Sequence, residues 1–442
     1  MYFMLQNENH NHFTDADGDF SILNRSAKRQ PLKAVKSPAD VSQPAPEVQM
    51  PKDAAAVSNV RRDAAVKKKN KKRKYAQKRS VKKYIGRFFV LLGVLLALIV
   101  YVVFSAVATI AHGPSTTIRD LLVLSAMQAS ATKWVPGLFL PDETVEQIVA
   151  DSKKINTDVV SIDDYVTDAI GNGSGTEKDI WENAMDGMLF ETISGSTYKA
   201  YVLLVKDPSR VFVGTSSDYK SGKQGMTIFN IAEKYNAVAA INGGEFSDPG
   251  GVGTGDNPIG VTYSEGVLMW NDGYTKRTFI GIDQNDRLVV REGMTKAQAE
   301  ELGIRDGVCF QTGNVLITSE DGNVVFHYAD SNTGTAQRTA IGQCADGTII
   351  LLVTDGRSAS SLGATHNDVI DIMVSYGAVT AGMLDGGSSS MMYYRDYFNK
   401  YDYDVEKLDK YQKQGLVNKY KAFTTPRKIP TYFIVGGESN AD

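Results

Sequence analysis

The chain has 442 residues, 42% hydrophobic, 9% aromatic and 22% charged, with a formal net charge of −3. That length allows two or three domains and a sizeable core, and the composition excludes collagen-like, disulfide-dense and wholly disordered proteins. The near-neutral total conceals an asymmetry: residues 61–87 carry 14 Lys/Arg against one acid, Asp63, whereas everything after Arg87 carries 28 Lys/Arg against 43 acids. An acidic body repels phosphate backbones, so no nucleic acid is expected as its partner.

Residues 1–66 mix Pro, Ala, Ser, Gln and charge with no helical or strand period, the pattern of a disordered tail. Within it Asp15-Ala-Asp-Gly-Asp19 opens like a calcium loop but fails, since Phe20 stands where Gly is needed and Ser26 where Glu is needed. A basic juxtamembrane segment follows at 67–87. Residues 88–111 then run 24 positions without a charge, about 36 Å of helix and enough to cross a hydrocarbon core of about 30 Å. The stretch is too long and too uniformly apolar for a core helix, and it is too long and too far from the start for a cleaved signal peptide. It reads as a transmembrane helix whose partner is the lipid bilayer. The run Lys67–Lys74 on its N-terminal side holds that side in the cytoplasm and contacts anionic headgroups. The body therefore lies outside the membrane, which makes this a single-pass, extracellular domain.

Residues 112–190 read as a helical stalk: Thr116–Ala129 has apolar residues at helical spacing, and Pro141-Asp-Glu opens a segment with acids that suit a helix N-terminus. From 191 to 437 the texture becomes short β-like runs, among them TYKAYVLLV, RVFVG, AVAAI, PIGVTY, RTFIGI, RLVV, NVVFH, TIILLV and PTYFIV. Turns such as Asn271-Asp-Gly, Glu320-Asp-Gly and Ala345-Asp-Gly separate them, and helices are expected at 228–235, 295–302 and 367–376. The pattern predicts one mixed α/β (α+β) domain built on a mixed sheet. Cys309 and Cys344, the only cysteines, lack CxxC spacing and so form no zinc site. They are either one disulfide or two buried thiols on strands.

Three segments place polar residues directly after apolar strands: Asn242-Gly-Gly-Glu-Phe246; Arg338-Thr-Ala-Ile-Gly342 together with Asp355-Gly-Arg357; and Asp385-Gly-Gly-Ser-Ser-Ser390. Each alone is a tight turn that needs a positive φ. Three in one domain, each setting a carboxylate or amide beside glycines, point to a site. This set, with Pro258-x-Gly260 and a Gly363-Ala-Thr segment leading into a helix, resembles the phosphodiester glycosidase domain family over residues 191–437. That family includes a lysosomal enzyme that removes N-acetylglucosamine from a sugar phosphodiester, and bacterial members that are commonly membrane-anchored and exopolysaccharide-associated. The resemblance implies a glycoside hydrolase acting on sugar phosphodiesters in a cell-surface glycan or exopolysaccharide, with no cofactor and no metal.

The residue types fit that chemistry. A sugar 1-phosphodiester expels a phosphate monoester whose second pKa is about 6, so departure needs little proton assistance. One carboxylate near the anomeric carbon and cations on the phosphate suffice. Asp385 is the first candidate for that carboxylate, then Asp355, then Glu245. Arg338 and Arg357 suit the phosphate as bidentate forks. Asn242 and Ser389 suit sugar hydroxyls or phosphate oxygens, and Gly243, Gly244, Gly386 and Gly387 offer backbone N–H groups. Among rivals, a Ser389–His366 hydrolase lacks the G-x-S-x-G elbow. A hard-oxygen metal site from Glu245, Asp248 and Asp256 competes with a plain substrate-covering loop. Gly251-x-Gly253-x-Gly255 is not a dinucleotide fingerprint, because its spacing is wrong. Glu245 and Ser388 depart from the family pattern, and they motivate the alternative of a non-catalytic glycan-binding or exopolysaccharide-assembly module on the same fold.

Overall fold

The computed structural model describes residues 52–127, 132–152, 154–165, 180–219, 225–248, 255, 257–330, 333–356, 361–420 and 425–437. Arg357, Asp256, the glycines at 251 and 253 and the Asp15–Asp19 stretch lie outside them. The chain divides into two units, Met1–Leu91 and Leu92–Asp442. In the first, the described residues are helical from Lys52 onward, part of the helix Lys52–His112. Residues 52–66, read from sequence as unstructured tail, are therefore helical. Their Ala, Arg and Lys are strong helix formers, and this local propensity shows no amphipathic period. The stretch Lys83–His112 is long and apolar enough to cross a membrane, and its most apolar window is not buried against the rest of the protein.

In the second unit, helices Thr116–Met127 and Asp142–Asp151 share a small core of Val123, Leu124, Val145 and Ile148 with Ala111. The segment up to residue 190 is not helical throughout. Ile155–Ser161 is a strand paired antiparallel with Asn323–Ala329, in register Asp158 to Phe326. Met188–Ser194 is a strand paired with Lys199–Val205. The sheet thus recruits chain from within the expected stalk. Its signal was hidden because the Ile155–Ser161 strand sits at an edge with most of its side chains exposed, so β-branched content was not accompanied by apolar alternation.

The mixed α+β class holds. The expected single mixed sheet is instead three sheets among the described residues, and every strand pair in them is antiparallel. The largest runs Ile155–Ser161, Asn323–Ala329, Val315–Glu320, Ala378–Met383, Thr339–Cys344, Ile349–Thr354, Lys199–Val205, Met188–Ser194 from edge to edge. A second contains Val267–Asn271, Val261–Ser264, Ile304–Phe310, Thr278–Asp283 and Leu288–Glu292, and a third Met392–Tyr394, Ala239–Asn242, Thr431–Val435 and Val211–Thr215. Asp321-Gly322, both at positive φ, close the hairpin in which Glu320 faces Asn323, the geometry of a two-residue primed turn.

Helix His366–Ser375 packs on the Asn323–Ala329 and Ala378–Met383 strands through Val369, Ile370, Ile372 and Met373. Its start is fixed by a capping box between Thr365 and Asp368. Gly382 lets the first two sheets meet, since a Cβ there would stand 2.8 Å from Ile280 and 3.0 Å from Val290. Ile241 and Phe433 bring the third sheet into the same core. Both cysteines are free thiols on strands of different sheets. Cys309 donates to the Val261 carbonyl and Cys344 to the Tyr376 carbonyl, and burial pushes each thiol up to about 12.

Candidate active site

The strands Ala239–Asn242 and Ala378–Met383 end side by side, and their following loops are sewn together. Asn242, fully buried, donates from Nδ2 to the Asp385 carbonyl at 2.7 Å. Its Oδ1 accepts from Thr339 Oγ1 at 2.8 Å and from the Met391 N–H at 3.1 Å. The Asp385 N–H in turn donates to the Gly243 carbonyl at 3.2 Å. The sequence suggests Asn242 for sugar hydroxyls or phosphate oxygens. Its amide is instead spent inside the protein, holding the Asp385 loop.

The four glycines are spent likewise. Gly243 donates to the Thr431 carbonyl and Gly244 to Thr431 Oγ1, Gly386 donates to Asp385 Oδ1 and Gly387 to the Gln337 carbonyl. Glycine is required at 244 for close packing rather than for ligand access, because a Cβ there would stand 2.3 Å from the Cys309 carbonyl oxygen.

Around Asp385 the structure gathers a charged cluster. Its carboxyl is enclosed although the residue keeps a little surface. Burial above all, with a small contribution from the neighbouring Glu245 charge, raises it to about 6. Ser389, Arg427 and the Gly386 N–H pull the other way. Ser389, fully buried, bonds Asp385 and accepts from Arg427 Nη1 at 3.2 Å. Arg427 also pairs through Nη2 with Asp248 and lies 5.4 Å over the Phe246 ring. The Arg427 N–H donates to Tyr420 Oη at 3.2 Å, and that hydroxyl donates to the Ser388 carbonyl at 2.8 Å. Glu245 is gripped by Arg277, whose Nε and Nη2 fork onto its two oxygens. Glu245 and Asp248, two of the three acids of the conceivable metal loop, are thus each held by an arginine, and the third, Asp256, lies outside the described residues.

The remaining candidates stand apart from this cluster or outside the described residues. Asp355, 5% exposed, accepts from Tyr201 Oη and from the Lys419 N–H, both at 2.9 Å, and burial raises its carboxyl. Both oxygens are therefore committed, and what Asp355 does is fix the chain that leads to Tyr420. Arg338 directs its guanidinium at main-chain carbonyls, Nε to Ala364 at 3.2 Å and Nη2 to Gly334 at 3.1 Å. His366 donates from Nε2 to the His327 carbonyl, and burial lowers it to about 4. That bond ties it to a neighbouring strand. Sequence reasoning missed Arg427, Arg277 and Tyr420. Arg427 stands four residues before the Thr431–Val435 strand in an irregular Pro-Arg-Lys segment, a position with no motif to mark it. The assembly sets a carboxyl with a raised pKa beside two arginines, each of them paired with another carboxylate.

Comparison with known proteins agrees with the motifs. Residues 235–436 match the family model described as phosphodiester glycosidase, which bears out the resemblance. The SPbeta prophage-derived protein YomE of Bacillus subtilis (strain 168) is 28% identical over 191 residues, 42% of this chain and 27% of that protein. The chain therefore spans about a quarter of that relative's length. Among solved structures, the zebrafish N-acetylglucosamine-1-phosphodiester alpha-N-acetylglucosaminidase catalytic domain, auto-inhibited by its pro-peptide, is similar at 17% identity and a TM-score of 0.42, over 62% of this chain and 92% of that one. An exported protein of Burkholderia pseudomallei K96243 is similar at 15% identity and a TM-score of 0.37, over 54% and 74% of the two chains.

Proposed function

We propose that this chain is a membrane-anchored, extracytoplasmic phosphodiester glycosidase that hydrolyses a sugar-1-phosphodiester, the glycosidic bond to phosphate, in a cell-surface glycan or exopolysaccharide. The observation that carries the reading is the enclosed Asp385 carboxyl, pushed up to about 6 and flanked by Ser389 and Arg427. At neutral pH that carboxyl is mostly ionised, and its charge supports an oxocarbenium-like centre at the anomeric carbon. Water adds to that carbon and releases one proton to solvent, the bond from carbon to the phosphate oxygen breaks, and the phosphate monoester leaves with the electron pair. Arg427 takes the role of phosphate grip that sequence reasoning gave to Arg338, with the Ser389 hydroxyl beside it. Arg357 stays a candidate second grip, and Glu245 contributes charge from its pair with Arg277.

The membrane reading rests on the helix Lys83–His112 and on the basic residues before it. Protease added to intact cells is expected to remove the body and spare the N-terminal segment, and a protected body would reverse the orientation. The activity is tested with full-length chain in detergent and the p-nitrophenyl phosphodiester of N-acetylglucosamine-1-phosphate as probe. Wild type releases p-nitrophenyl phosphate and Asp385→Asn does not. The alternative, a non-catalytic glycan-binding or exopolysaccharide-assembly module, is favoured by the ion pair that already occupies Glu245. Glycan capture by a wild type without turnover would establish it.

A further inference from the structure

We propose that Tyr274, backed by Arg277, is a second sugar-binding subsite beside the cleavage centre, so that the substrate is an oligomer or polymer of sugar phosphodiesters rather than a single sugar phosphodiester. This rests on the reading of Asp385 given above.

Tyr274 is 46% exposed, which for a large aromatic side chain on a loop is unremarkable in itself. Its surroundings distinguish it. The Arg277 guanidinium lies over the ring, 4.5 Å from its centroid, and the same guanidinium forks onto Glu245. Glu245 is near enough to Asp385 for its charge to raise that carboxyl. An exposed aromatic surface is thus tied, through one arginine and one carboxylate, to the proposed bond-breaking centre.

The ring is also held in place from its own backbone. The Asp272 carboxylate accepts from the Tyr274 N–H at 2.8 Å and from the Gly260 N–H at 3.1 Å, which fastens the loop to the neighbouring segment. Thr312 Oγ1 donates to the Lys276 carbonyl at 2.9 Å and fastens the other end. A tyrosine held this way loses little freedom when it binds.

The chemistry such a platform recognises is a pyranose ring, whose C–H face packs on an aromatic surface while its hydroxyls stay in water. A phosphodiester-linked sugar carries a negative charge next to that face, and Arg277 at the back of the ring complements it.

The test uses full-length chain in detergent and two probes: the p-nitrophenyl phosphodiester of N-acetylglucosamine-1-phosphate and a short oligomer of N-acetylglucosamine-1-phosphate. On the oligomer, Tyr274→Ala is expected to raise KM by roughly three- to tenfold with kcat held, and Tyr274→Phe is expected to restore most of the loss. On the single-sugar probe the same change has a distinctly smaller effect. Equal penalties on both probes, or none on the oligomer, would overturn the subsite. Failure of wild type to turn over either probe sinks the glycosidase reading instead. Oligomer binding measured by calorimetry on wild type and Tyr274→Ala then decides the subsite alone, an unchanged Kd refuting it.

Discussion

Asp385→Asn is expected to produce a protein that is more stable and inactive. Moving a buried carboxyl from 3.8 to about 6 corresponds to about 3 kcal/mol of folding free energy lost once the group is ionised. The little surface the residue retains trims the expectation to about 2–3 kcal/mol. The sign follows from proton binding: the folded state holds the proton more tightly than the unfolded chain. The site's contribution is therefore undiminished below pH 3.8, declines as pH rises through the window from 3.8 to about 6, and is flat above it. Asparagine removes the charge and keeps an acceptor for the Gly386 N–H, which now donates to Oδ1 at 2.9 Å. Urea denaturation of wild type and variant from pH 4 to pH 8 should show curves that converge near pH 4 and separate by about 2–3 kcal/mol at pH 7–8. In parallel kcat should fall by about a hundredfold or more, because the charge at the anomeric carbon is gone. A variant no more stable than wild type at pH 8, or one with near-normal kcat, would refute the reasoning.

Arg427→Lys and Arg338→Lys should separate cleanly: the former raises KM by an amount worth about 1.5–3 kcal/mol for a lost charged hydrogen bond, while the latter lowers stability with KM nearly kept, as denaturation and steady-state kinetics will show. Asp355→Ala strands the buried Tyr201 hydroxyl and frees the Lys419 N–H, so a stability loss of about 1–3 kcal/mol is expected, larger than its loss in transition-state stabilisation. Gly244→Ala forces a Cβ to within 2.3 Å of the Cys309 carbonyl oxygen, and overpacking of this kind costs about 1–3 kcal/mol, measurable as a fall in Tm. A chain cut at residue 190 should be less stable than one cut at 113, because it loses the Ile155–Ser161 edge strand and the helix whose Ser125 bonds Thr335.

The interior of the domain was largely legible. Runs such as TIILLV and PTYFIV are continuous and apolar because the strands Ile349–Thr354 and Thr431–Val435 are buried along their whole length. The helix His366–Ser375 was legible as the expected helix at 367–376, and the structure adds the capping box of Thr365 and Asp368 that starts it. The edges were not legible. Ile155–Ser161 presents mostly exposed side chains, and an edge strand leaves no alternation to read. At the site, the LDGG segment located Asp385 at a strand end, but residue type could not say which polar groups face a ligand and which are consumed. Arg338 and Asp355 look like site residues in sequence and make internal bonds. Arg427 looks like any basic residue near a turn, and it reaches Asp248 across 179 positions of chain. Such a partner is set by tertiary folding alone.

The internal bonds also explain how a carboxyl can be enclosed at the centre of the cluster. An ionised group away from water is tolerable when its immediate frame is rigid and otherwise satisfied. Asn242 spends three bonds of its amide on the Asp385 carbonyl, Thr339 and the Met391 N–H, and the Gly387 N–H ties the Asp385 loop to Gln337. Gln337 belongs to the segment that Arg338 anchors through the Gly334 carbonyl. The same segment lies against helix Thr116–Met127, where a Cβ on Gly334 would come within 2.7 Å of the Leu124 backbone. Asp355 holds the approach to Tyr420, which in turn receives the Arg427 N–H. Candidates that sequence reasoning placed on the substrate thus form the frame, and the charge that the frame keeps in place is left at Asp385, Glu245, Arg277 and Arg427. Removing a frame residue should accordingly cost stability first, whereas removing one of those four should cost binding or turnover first.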